Sequence, residues 1–214
     1  MDHAQSLKQL IVDYPHEAVA LFAASAGGSV DASAAITVIP AQRLSAQFLD
    51  LDIPLFVQRE AGRREALLFV VEPGRKPAPN AAHRLARCCL ELAELLQTDR
   101  VIPVVVYLQA TGAPSELCLR GDVATHLDFR CLSFSLAAMP AQAHFDSTNL
   151  VARLNLPNMA FDATEKLEVY AQAVRGLMQL ERDPVRRLRY MDFIDIHGAL
   201  DENEMQEWPS ARTG

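Results

Sequence analysis

The chain predicts an α/β (α+β) protein: one mixed β-sheet flanked by helices, with a layer of helices added towards the C-terminal end. Three observations carry this. Strand patterns dominate residues 36–139, whereas helical periodicity dominates 146–198. Two apolar runs, LDIPLFVQ (51–58) and EALLFVVEP (65–73), flank the polar turn REAGRR (59–64), as a strand pair does. The amphipathic run NAAHRLARCCLELAELLQ (80–97) reads as a helix, and VIPVVVYLQ (101–109) as a buried strand.

Taken in order, SLKQLIVDYPHEAVALFAA (6–24) places Leu7, Leu10, Ile11, Val19, Leu21 and Phe22 at helical spacing on each side of Pro15. Proline lacks an amide hydrogen and restricts the residue before it, so two short helices are expected. Residues 25–33 are small and polar, a loop. AAITVIP (34–40) is β-branched, a strand, and AQRLSAQFLD (41–50) reads as a short helix leading into the strand pair. GRKPAP (74–79) and ATGAPSE (110–116) are loops. LCLRGD (117–122) and LDFRCLSFSLAAM (127–139) form a hairpin or edge pair, the second alternating as a half-buried strand does. DSTNLVARLNL (146–156) opens on a helix cap at Asp146 or Ser147. ATEKLEVYAQAVRGLMQLE (163–181) carries one stripe of Leu167, Tyr170, Ala171, Val174, Leu177 and Met178. DPVRRLRYMDFIDIHG (183–198) starts with a capping Asp183 and Pro184 and ends at Gly198.

With 214 residues, half of them hydrophobic, the chain suits one domain with a sizeable core. We expect an α/β core over 1–145, helices packed on it over 146–200, and an acidic flexible tail over 201–214; two subdomains split near 140–146 are the alternative. The opening residues resemble no secretory signal, and no stretch of 18 apolar residues occurs, so a cytoplasmic protein away from membranes is expected. Cys88, Cys89, Cys118 and Cys131 lack metal-ligand spacing and read as reduced thiols in or near the core. A net charge of −7 argues against nucleic-acid binding over the whole surface, but leaves room for a local basic cleft. Arginines gather at Arg63 and Arg64, at Arg75 beside Lys76, at Arg84 and Arg87, and at Arg186, Arg187 and Arg189; on charge pattern alone these are solvated faces.

Asp52 and Glu72 stand near the start and end of the paired strands. Taken singly, such residues are ordinarily a turn residue and a solvated strand end. Together, two acids on adjacent strands can hold a divalent metal through oxygen. His83 and Arg87 share a helix face and are within reach of a phosphate or of each other. His126, His144 and His197 lie far apart in sequence. No GxSxG, P-loop, GxGxxG or HExxH motif occurs.

Five segments, LKQLIVDYPHEAVALF (7–22), ITVIPAQRLSAQFLDLDIPLFVQ (36–58), ALLFVVEPGRKPAPNAAHRLARCCLEL (66–92), VIPVVVYL (101–108) and RLRYMDFIDIHGALDENE (187–204), follow one another in an order that resembles the Rpn and YhgA-like transposase group of the PD-(D/E)XK nuclease superfamily. The resemblance implies a restriction-endonuclease-like fold and a metal-dependent DNA endonuclease. It implies Mg²⁺ (or Mn²⁺) on Asp52 and Glu72, and matches the group's helix arginine to Arg84 or Arg87; with His83, which shares a helix face with Arg87, these are the expected DNA-contacting residues. The chain departs from the group where chemistry is done. The Gln or Lys expected two residues after the glutamate is Gly74, the residue before it is Pro73, an upstream acidic position falls at or beside Arg43, and the helix tyrosine is Cys88. Lys76 is the lysine near enough to replace the missing group. The other reading is a catalytically inactive relative serving as a binding or oligomerisation module, a homodimer through the helices of 163–198.

Overall fold

The computed structural model describes residues 3–22, 34–59, 62–74, 80–109 and 116–200. The loop at 25–33, most of those at 74–79 and 110–116, and the tail from 201 onward lie outside them, and with them Lys76.

Two helices, α1 (His3–Asp13) and α2 (Pro15–Phe22), open the described chain and break at Tyr14, as Pro15 requires. Three strands follow as an antiparallel meander: β1 (Ala35–Val38), β2 (Asp52–Gln58) and β3 (Arg64–Glu72). Helix α3 (Ala81–Leu96) then crosses over to β4 (Val101–Tyr107), which lies parallel to β3. A separate hairpin, β5 (Glu116–Arg120) and β6 (Thr125–Arg130), precedes β7 (Leu132–Ser135), which joins β4 in parallel. The main sheet runs β1-β2-β3-β4-β7. Three further helices close the fold: α4 (Leu150–Leu154), α5 (Lys166–Leu180) and α6 (Pro184–Gly198).

Period-2 alternation sends the side chains of β3 into two different layers. Leu67, Phe69 and Val71 join Ile53, Leu55, Val104 and Val106 beneath α1, α2 and α4–α6 in one hydrophobic cluster. Ala66, Leu68 and Val70, with Val105 and Tyr107, pack under Leu85, Cys88 and Leu92 of α3. Helices therefore cover both faces of a mixed sheet, which explains why β3 and β4 read as continuous apolar runs. The N-terminal and C-terminal helices share the first cluster, so the helices from 150 onward are packed on the core. Tyr14 donates to Glu181, and Tyr190 donates to Asp13 at 2.6 Å, tying the two ends of the chain together.

Four expectations need correction. Residues 41–50 form only a short 3-10 turn, Ala41–Arg43, because Ser45 turns its amide and hydroxyl to the Glu91 carboxylate of α3. The stretch 127–139 is two strands in different sheets, broken at Cys131, since Phe129 belongs to the hairpin while Leu132 pairs with Val104. Helix α4 is capped by Asn149, whose side chain accepts from the Ala152 amide at 2.9 Å, rather than by Asp146 or Ser147. Two residues assigned to the interior are outside it: Met178 lies at the end of its stripe and is 43% exposed, and Cys118 is exposed on the polar face of the hairpin. Among the described residues, no helix is long and apolar enough to cross a membrane.

His197 gives the fold an acid limit. It is 8% exposed, packs against Phe193 and His3, and meets Asn158 Oδ1 at 2.7 Å. Burial holds the ring neutral and pushes its pKa down to about 4, with the nearby His3 adding to the effect. Above an unfolded-state pKa of about 6.5 the ring is neutral in both states and contributes nothing. As pH falls from there to about 4, the unfolded chain takes a proton that the native state refuses. Up to about 3 kcal/mol of stability is expected to disappear over that window. Urea titrations of wild type and His197→Gln at pH 7.5, 6, 5 and 4 check this: the wild-type curve should fall more steeply, and parallel curves would remove His197 as the cause.

Candidate acidic site and its cleft

Asp52 is the first residue of β2 and Glu72 the last of β3. Asp52 pairs in register with Val70, two residues before Glu72, so both acids project from the face that α3 covers. The Asp52 side chain is only 1% exposed. Its Oδ2 accepts from the Leu49 amide at 2.8 Å and from the Arg84 guanidinium on α3, while its Oδ1 is buried without a hydrogen-bond partner. Glu72 is half-buried. Burial raises its carboxyl pKa, the Arg84 charge opposes the rise, and the Asp52 charge adds to it. The two carboxylates and one guanidinium thus share a common field.

The other basic residues divide. His83 and Arg87 are exposed and line an open cleft of about 530 Å³ with Asn80, Arg84, Gln47 and Leu49. Arg84 stands at its inner wall and is directed to Asp52. The remaining described clusters serve the fold. Arg63 binds Glu65 together with Arg59 and Arg100; Arg64 lies over the Phe56 ring at 5.3 Å. Arg186 covers the Tyr14 ring, Arg187 donates to the Glu181 and Met178 carbonyls, and Arg189 binds Asp13 at 2.9 Å. Gly74 is exposed and offers no side chain to the site. Cys88 donates to the Gln47 carbonyl at 3.7 Å; burial pushes its pKa up to about 11, so it is an uncharged thiol near neutral pH. His126, His144 and His197 are on three different elements.

Sequence reading missed one feature. The parallel register sets Glu72 beside Tyr107, and Tyr107 beside Ser135, in one row across β3, β4 and β7. Ser133 occupies the row of Asp52 and Val70. The hydroxyls of Ser133 and Ser135 are buried without partners. Polar groups therefore gather at the carboxyl ends of parallel strands, where open α/β sheets bind their ligands. The serine spacing in LSFS was the available signal, but only the β4–β7 pairing brings it beside Glu72.

Among the described residues no group of three or more His, Cys, Asp or Glu side chains is placed to hold a metal ion. Two carboxylates nonetheless suit Mg²⁺, which keeps several waters and takes few protein ligands. The oxygens that would be offered to such an ion are the unpartnered Oδ1 of Asp52 and the Glu72 carboxylate. Comparison of the chain with protein-family models, curated proteins and solved structures finds no match.

Proposed function

We propose that this protein is a metal-dependent endonuclease of restriction-endonuclease-like fold, acting on DNA. The observation that carries the reading is the orphaned Asp52 oxygen on the same sheet face as Glu72, with Arg84 joining Asp52 to a cleft lined by His83 and Arg87. Support comes also from element order: helices, three antiparallel strands, a crossover helix and a parallel strand follow the arrangement that the resemblance to the PD-(D/E)XK group implies. Asp52 and Glu72 would hold Mg²⁺ or Mn²⁺. When bound, such an ion supplies charge to the scissile phosphate and acidifies a water. Arg87 and His83 take the phosphate backbone in the cleft by charge-assisted hydrogen bonds. The donor ordinarily found two residues past the glutamate is absent at Gly74, and Lys76, two residues further along the sequence, is the candidate to replace it.

Gly74, together with the guanidinium already seated on Asp52, favours a second reading: an inactive relative that retains the cleft to bind. A homodimer through α5 and α6 belongs to that reading. Calorimetry separates the cation claim from it. Mn²⁺ titrated into the wild-type protein should give a binding isotherm that Asp52→Ala and Glu72→Ala each abolish, with folding of both verified by circular dichroism. A flat titration of wild type would count against the endonuclease and for the binding module.

A further inference from the structure

We infer that Arg84 is the resident counter-ion of the acidic pair, and that a divalent cation binds by displacing it from Asp52. The inference rests on the reading that Asp52 and Glu72 hold such a cation. The Asp52 side chain is 1% exposed, and breaking a buried ion pair by removing one partner is costly. Among the described residues its ion-pair partner is Arg84, 32 residues away in sequence and 20% exposed at its side chain. It occupies Oδ2 and leaves the buried Oδ1 without a hydrogen-bond partner, so a cation on Oδ1 meets a guanidinium across the same carboxylate. Two positive centres sharing one acid repel, and only the guanidinium has somewhere to go. Arg84 lines the cleft with His83 and Arg87, so release from Asp52 delivers its charge to the wall where an anionic backbone would lie. Cation uptake at the acids and anion binding in the cleft are thereby coupled, each favouring the other. Arg84 is a positioning residue in this scheme: it holds the Asp52 carboxylate in place before the cation arrives.

The test uses Arg84→Gln and Arg84→Lys with Mn²⁺ alone and no DNA, followed by thermal melting and by the electron-paramagnetic signal of free Mn²⁺. Without metal, Arg84→Gln should melt below wild type, because Asp52 loses its partner. Saturating Mn²⁺ should raise its melting temperature more than that of wild type. Its Mn²⁺ dissociation constant should be at least about ten-fold tighter, a gain that a merely structural arginine would not produce. Arg84→Lys, which keeps a charge but not the planar fork, should fall between the two, and carries the measurement if Arg84→Gln does not fold. Equal or weaker Mn²⁺ binding by a folded Arg84 variant, with wild-type binding present, overturns the inference and leaves the cation site standing. No binding by wild type or either variant overturns both.

Discussion

Replacing Gly74 with lysine is expected to raise plasmid nicking by about 10²–10³-fold in the presence of Mg²⁺, from a wild-type rate at or near background. Gly74 follows Glu72 by two residues and is exposed, so a side chain placed there starts beside the acids without entering the core. The size of the effect follows from what a single donor to a developing negative charge contributes to catalysis. Gly74→Gln should act in the same direction, since an amide also donates. Lys76 provides the control. If it already serves, wild type will nick the plasmid, Lys76→Ala will abolish nicking, and Gly74→Lys will add little. Wild type, Gly74→Lys, Lys76→Ala and Glu72→Ala therefore belong in one assay. Nicking that survives Glu72→Ala would place the chemistry elsewhere, and silence in all four would leave a binding module.

The largest expected loss of stability comes from the other end of β3. Glu65 is 2% exposed and receives three arginines: Arg59 at 2.8 Å, Arg63, and Arg100 at 3.2 Å. Burial pushes its carboxyl pKa up, but the hydrogen bonds from Arg59 and Arg63 prevail and hold it below the ordinary value. Glu65→Ala removes the carboxylate and leaves the Arg59 side chain, 12% exposed, without that partner. A cost of about 3–5 kcal/mol is expected, as for other broken buried pairs. In a protein of this size that lowers the melting temperature by roughly 6–20 °C. Glu65→Gln keeps the shape and should lose less. A fall below about 1 kcal/mol for the alanine variant would mean that the cluster behaves as surface ion pairs do.

Much of the fold was legible because its signals are local. The run at 101–109 is buried on both faces and looks so in one dimension; α3 shows its stripe within a single element. That Asp52 and Glu72 stand near the start and end of two paired strands was also legible, because the turn between the strands is local; the register that puts them on one face was not read. What escaped depends on distant partners. The pairing of Arg84 with Asp52 spans the whole β2–β3–α3 unit, and nothing in the spacing of Arg84 and Arg87 says which turns inward. The alternation of LDFRCLSFSL continues through Cys131 without a mark, yet the chain changes sheets there. The decision is made by β4, more than twenty residues upstream. Helix α4 lies inside the run 146–156 but is shorter and starts later, capped by Asn149, which also donates to the Glu17 carbonyl at 2.8 Å across α2, a contact no local rule contains.

The sharing of one hydrophobic cluster by α1, α2 and the last three helices has a temporal side. Tyr14 waits for a partner 167 positions further along, Glu181. At about 5–20 residues per second, ribosomal synthesis separates the two by roughly 10–30 s. Through that interval Leu7, Leu10, Ile11 and Phe22, all fully covered in the finished protein, have no native C-terminal helices to lie against. The nascent chain thus makes these apolar helices first and covers them last, so a chain shortened before α6 is expected to aggregate more readily than the full chain.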